Sequence, residues 1–234
     1  MKKAVFLTSF FITMALCTSF SYGQAVVKET RDLTGFTKVN FGVAGELFIK
    51  LGPQFQVVLE GPKNYLDDII TEVSGGRLVI KKENWRKSMN ERVTVYITMP
   101  EIKGLGVSGS GKAEIEDALK CETLDLSVSG SGKLLTADLN VADLNCGISG
   151  SGNINLGGNG NVSKADISIS GSGNFFGDSV KIEDLHISVS GSGNCSCNVT
   201  GSLDASISGS GNVTYSGSPR LNARVSGSGH VRSR

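Results

Sequence analysis

Three residues capable of acid–base chemistry recur at nearly fixed spacing: Asp166, His186 and Asp204 lie 20 and 18 positions apart. If that spacing returns the chain to the same point of successive coils, an imidazole stands between two carboxylates on one outer face. Flanking carboxylates favour the imidazolium and can bring its titration near neutral pH. A solvated polar ladder would use the same residues without chemistry, and no nucleophile or cleft accompanies them. The row Asp166, His186, Asp204 is therefore read as a candidate surface ladder, with no catalytic, cofactor-binding or metal-binding residue assigned. Cys195-Ser196-Cys197 has the look of a metal or redox pair. Strand alternation, however, turns both sulfurs to the apolar side, and residues two apart on one strand are poorly placed to bridge each other. Gly157 to Asn161 is glycine-rich but occurs once and lacks the Asp of a calcium-binding repeat. Ser-Gly-Ser-Gly lacks the Lys-Ser/Thr and the following helix of a phosphate loop.

The elements that must position such a row are written in the repeat. Ser-Gly-Ser-Gly occurs seven times, beginning at Ser108, Ser129, Ser149, Ser170, Ser190, Ser208 and Ser226, with steps of 21, 20, 21, 20, 18 and 18 residues. A period in this range marks a solenoid. The residue before each copy is β-branched, from Val107 to Val225, and apolar residues recur two and four positions earlier, as in Leu124-Leu126-Val128 and Leu185-Ile187-Val189. Period two is a strand with one buried face. Asp125, Asn145, Asp166, His186, Asp204 and Asn222 fall between them in one outward register. Past each corner a second alternation puts pairs such as Leu134/Thr136, Ile154/Leu156 and Cys195/Cys197 inside, and a third apolar pulse such as Leu139/Val141 completes one coil.

Two glycines per corner allow positive φ and close stacking of successive corners. The residue after each corner is Lys112, Lys133, Asn153, Asn174, Asn194, Asn212 or His230, so four consecutive coils can form an asparagine ladder. A lone coil of about 20 residues buries too little to offset its ordering, so the coils must stack.

Composition agrees. Gly is 31 of 234 residues and Pro only 4, while 39% of residues are hydrophobic, so the chain is turn-rich yet able to form a core. The formal net charge of +1 excludes the basic footprint of a nucleic-acid binder. Residues 1–23 read as a secretory signal peptide, with Lys2 and Lys3 before an apolar run and a small-x-small end at Ser21-Tyr22-Gly23. No later run is long enough to span a membrane. The exported chain, 24–234, is read as one β-helix domain: 24–99 as irregular coils that begin and cap it, 100–234 as regular coils. Strands are expected over Phe36–Phe41, Gly45–Leu51, Gln56–Glu60, Arg77–Lys81 and Val93–Thr98, with a short helix over Asn64–Ile70.

Leu33-Thr34-Gly35-Phe36-Thr37-Lys38-Val39, Ile97-Thr98-Met99-Pro100 and the recurring Val-Ser-Gly-Ser-Gly-(Lys/Asn) carry a resemblance over roughly residues 30 to 230. In these the chain resembles a family of bacterial exported proteins described as putative autotransporter adhesins with a head GIN domain. The resemblance implies an all-β, single-stranded right-handed parallel β-helix and a cell-surface or adhesive role without an established activity. Together these readings point to a non-catalytic, adhesin-like module of the cell envelope or surface, without a cofactor. It would sit in the periplasm, on the outer membrane or outside the cell, and bind a glycan or protein partner on its flat faces. The alternatives are a polysaccharide-acting lyase or hydrolase on the same fold and a purely structural periplasmic rod. The last coil, Leu221 to Gly229, keeps its apolar character with a short charged tail behind it, which suggests edge-mediated self-association there.

Overall fold

Alternating apolar residues make strands, glycine pairs make corners, and their regular succession winds the chain into a solenoid of parallel strands. The computed structural model describes residues 25–83 and 92–234. The signal peptide read over 1–23 lies outside the described residues. On the face leading into the corners, the strands stack in the order Arg77–Lys82, Lys38–Gly42, Gly104–Gly109, Leu119–Gly130, Leu139–Gly150, Gly160–Gly171, Asn174–Gly191, Asn194–Gly209 and Arg220–Gly227. The face leaving the corners stacks Val93–Met99, Gly45–Leu51, Lys112–Ile115, Lys133–Thr136 and Asn153–Leu156. It continues through the first residues of the two long strands to Asn212–Ser216 and His230–Ser233.

The core is a set of vertical apolar rows. Phe41, Val107, Val128, Ile148, Ile169, Val189 and Ile207 occupy one register on successive strands, and all are buried. The corners bring the rows this close. Gly150 has φ +111°, and a Cβ there would stand 2.6 Å from the Gly130 carbonyl oxygen. The next amide, Ser151 N–H, donates to that same carbonyl at 2.8 Å. Each later corner repeats this bond, so the hydrogen-bonded ladder runs through the turns. The corner serines thus act through their backbone amides.

The N-terminal segment departs from plain coils. Lys38–Gly42 and Gly45–Leu51 form a layer between the later strands Arg77–Lys82 and Val93–Met99 on one side and the first repeat on the other. Three antiparallel strands extend this end: Gln56–Pro62 against Val93–Met99, Val26–Arg31 against Gln56–Pro62, and Ile69–Ser74 against Arg77–Lys82. The helix expected over Asn64–Ile70 is only Lys63–Leu66, whose Tyr65 and Leu66 are buried. Ile69 and Ile70 begin a strand instead, because Gly75 and Gly76, at φ +57° and +72°, close a hairpin onto Arg77. At the opposite end the strand Arg220–Gly227 is exposed along its length, and Leu221 and Val225 remain 46% and 44% accessible.

Candidate functional site

Period-two alternation that buries Leu144, Ala165, Leu185 and Leu203 turns their neighbours outward. Asp166, His186 and Asp204 stand at one register on three consecutive strands, within the longer row Asp125, Asn145, Asp166, His186, Asp204, Asn222. Two hydrogen bonds hold the row's ends: Asn145 Nδ2 donates to Asp125 Oδ1 at 3.0 Å and Asn222 Nδ2 to Asp204 Oδ2 at 3.2 Å. Lys38 Nζ reaches Asp125 Oδ2 at 2.7 Å, passing over Gly104, which occupies the intervening strand without a side chain. Hydrogen bonds from Lys38 first and Asn145 next hold the Asp125 carboxyl below its ordinary 3.8.

Two residues before each member of the row, a second row faces out: Asp143, Lys164, Asp184 and Ser202. The two rows enclose an open trough of about 440 Å³, lined by Asp143, Asp166, Asp184 and Asp204 with Lys164 and His186 among them. The second row went unread in the sequence although the same alternation points to it. Ser202 Oγ donates to Asp184 Oδ1, tying one carboxylate down. Among the described residues no three His, Cys, Asp or Glu side chains are grouped to hold a metal ion. The arrangement can accept hydrogen bonds and attract cationic or hydroxyl groups.

Across the corner, the asparagine row forms the ladder read from the repeat. Asn174 Nδ2 donates to Asn153 Oδ1 at 2.8 Å, Asn194 to Asn174 at 3.0 Å and Asn212 to Asn194 at 3.0 Å. Asn174 and Asn194 each spend one N–H and one lone pair along the stack, while Asn153 only accepts and Asn212 only donates, so every amide keeps at least one donor and one acceptor for solvent or a ligand.

Cys195 and Cys197 are buried in the core, as the alternation reads them, and the four described cysteines are free thiols. The hydrogen bond with Cys197, reinforced by burial, pushes the Cys195 thiol up, and burial does the same to Cys146. Neither is a thiolate at neutral pH, so neither is a nucleophile or ready metal ligand.

A filled interior, short corners and in-register outer rows define a β-solenoid that presents side chains on long flat faces. The chain belongs to the family described as "putative auto-transporter adhesin, head GIN domain", whose profile matches residues 35–219. No curated protein matches it in sequence. Among solved structures, a putative adhesin from Bacteroides fragilis NCTC 9343 has a TM-score of 0.82 at 24% identity, covering 90% of this chain and 98% of that one. A putative adhesin from Parabacteroides merdae ATCC 43184 has a TM-score of 0.70 at 22% identity, covering 91% and 97%. A protein described as a putative lipid binding protein, from Parabacteroides distasonis ATCC 8503, has a TM-score of 0.71 at 21% identity, covering 91% and 98%. At these identities the likeness is one of fold. Family and neighbours alike are described as adhesins or binding proteins. Among the described residues no helix is long and apolar enough to cross a membrane.

Proposed function

We propose that this chain is a non-catalytic, exported module of the bacterial cell envelope or surface that binds glycan on the outer faces of its solenoid. The observation that carries the reading is the ladder Asn153, Asn174, Asn194, Asn212: a rigid row of amides, each with a spare donor and a spare acceptor, at the spacing of adjacent strands. Sugar hydroxyls donate and accept in the same way, and a fixed row meets them without the ordering cost of mobile loops. The trough around Asp166, His186 and Asp204 offers a second polar surface of the same kind on the neighbouring face. One structural neighbour is described as a lipid binding protein. A lipid chain needs a hollow that is apolar throughout, whereas the trough here sets Asp143, Asn145, Lys164, Asp166, Asp184, His186 and Asp204 around Leu144, Ala165 and Leu185. Adhesin membership supports a role in recognition on the surface.

A glycan-array screen of the intact chain, run alongside reducing-sugar and unsaturated-product assays, tests the reading. Binding without turnover is the expected result. Turnover of any glycan would replace it with the polysaccharide-acting enzyme, and failure to bind any glycan would leave a protein partner or a structural rod.

A further inference from the structure

On the outer face that carries the asparagine ladder, Phe176, Ser196, Thr214 and Arg232 share one register on four consecutive strands. Strand spacing puts the backbones of Phe176 and Arg232 roughly 14 Å apart. The end residues are large and the middle ones small, so the row is a dip rather than a ridge, with a volume of about 220 Å³. Asn194 and Asn212 of the ladder form one wall. The other is Arg234, which pairs with Asp178 at 2.9 Å and donates to Ser196 Oγ at 2.7 Å.

We propose that this dip is the subsite for a carboxylate-bearing sugar in an acidic oligosaccharide. The proposal rests on the glycan reading above and gives it a place and a charge. Phe176 is 42% exposed, an isolated apolar ring on a polar face, and its electron-rich face suits the C–H side of a pyranose. The amides beside it supply the spare donors and acceptors that ring hydroxyls need. Arg232 at the far end is exposed and makes no ion pair with any described residue. The Asp178 carboxylate beside the dip is already taken by Arg234 and Ser196, and after Asp204 the sequence contains no acidic residue at all. An unpaired guanidinium in that setting presents a planar fork of donors, which a carboxylate meets with two parallel hydrogen bonds. Aromatic ring, amide wall and guanidinium thus follow one another along the rod in the order a short acidic glycan would meet them.

The test uses the intact chain, a trimer of galacturonic acid and the neutral trimer made by reducing its carboxyl groups, with calorimetry as readout. The acidic trimer should bind about tenfold or more tightly than the neutral one. Arg232→Gln should abolish that preference, and Phe176→Ser should weaken both ligands by roughly three- to tenfold. Because the first comparison changes only the ligand, it holds whether or not a variant folds well. Equal binding of the two trimers, or a preference that survives Arg232→Gln, would overturn the subsite while leaving glycan binding elsewhere on the faces intact. Absence of binding to these trimers and to every glycan on the array would remove both.

Discussion

Single side chains show where the outer rows and the core differ in what they tolerate. Thr136 occupies an inner position between Ile115 and Leu156 on the adjoining strands, and its buried Oγ1 has no hydrogen-bond partner among the described residues. Thr136→Val removes an unsatisfied hydroxyl at nearly constant shape and should raise unfolding stability by about 1 kcal/mol in a denaturant titration. In the outer ladder the sign reverses. Asn174→Ala breaks bonds to both Asn153 and Asn194 and should cost about 1 kcal/mol in the same measurement. Asp125 adds a pH dependence. Its carboxyl is depressed in the fold, so its contribution is complete above the ordinary value of 3.8 and is lost as pH falls from there through the lower folded value. The Lys38–Asp125 pair is partly exposed, so wild type and Asp125→Asn should differ by only about 0.5 kcal/mol at neutral pH, and the gap should close in acid. The asparagine row and the Asp166, His186, Asp204 register were legible in the sequence because strand alternation and a fixed corner dictate both. The troughs were not, since a hollow depends on which neighbouring side chains are small, as at Ser196 and Thr214, and that requires knowing which strands adjoin.

At the scale of the element, the corner is the feature most sensitive to change. A methyl group at Gly150 would meet the Gly130 carbonyl within hard contact while φ stays at +111°. Gly150→Ala should therefore lower stability by about 2 kcal/mol or more. Gly147 is the control. It lies on the preceding strand at ordinary φ, a Cβ added there would meet nothing within 4 Å, and Ser127 and Ser168 hold the same register. Gly147→Ser should change stability by no more than about 0.5 kcal/mol, with thermal melts of the two variants making the comparison. Most strands were legible for a related reason: Gly45–Leu51 and Arg77–Lys82 each bury one face, with Leu47 and Ile49 or Leu78 and Ile80 turned inward and charged residues at the flanks. Two strands were not. Val26–Arg31 lies at an edge, paired on one side with Gln56–Pro62, and buries no residue fully, so it leaves no apolar stripe to read. Ile69–Ser74 was masked by the helix-like Tyr65-Leu66 and Ile69-Ile70 pairs, and the informative signal was the Gly75-Gly76 turn beyond it.

For the whole molecule, rows that touch only their nearest neighbours make stability a sum of layer-to-layer terms. Coils in the middle are held on both sides, whereas among the described residues Arg220–Gly227 pairs only with Asn194–Gly209. Hydrogen exchange should accordingly be slowest in Leu139–Gly150 and Gly160–Gly171 and fastest in Arg220–Gly227, with a graded rather than single-step profile between them. A uniform exchange rate along the chain would contradict the layered account.

The layer of Lys38–Gly42 and Gly45–Leu51, set between strands that come later in the chain, governs the order in which the chain can be assembled. From the second repeat onward each strand finds its partner 17 to 21 residues away, and a coil can be added as soon as it is made. Val39 must wait for Leu105, 66 positions later, and Leu47 for Val95, 48 positions later. Contacts that distant are slow to form. For a polypeptide synthesised in chain order, Lys38–Leu51 is thus covered on one side only after Arg77–Lys82 and Val93–Met99 have formed, and on the other only once the chain has passed Ile115. Refolding should show a slow phase belonging to the head, distinct from the rapid winding of the repeats.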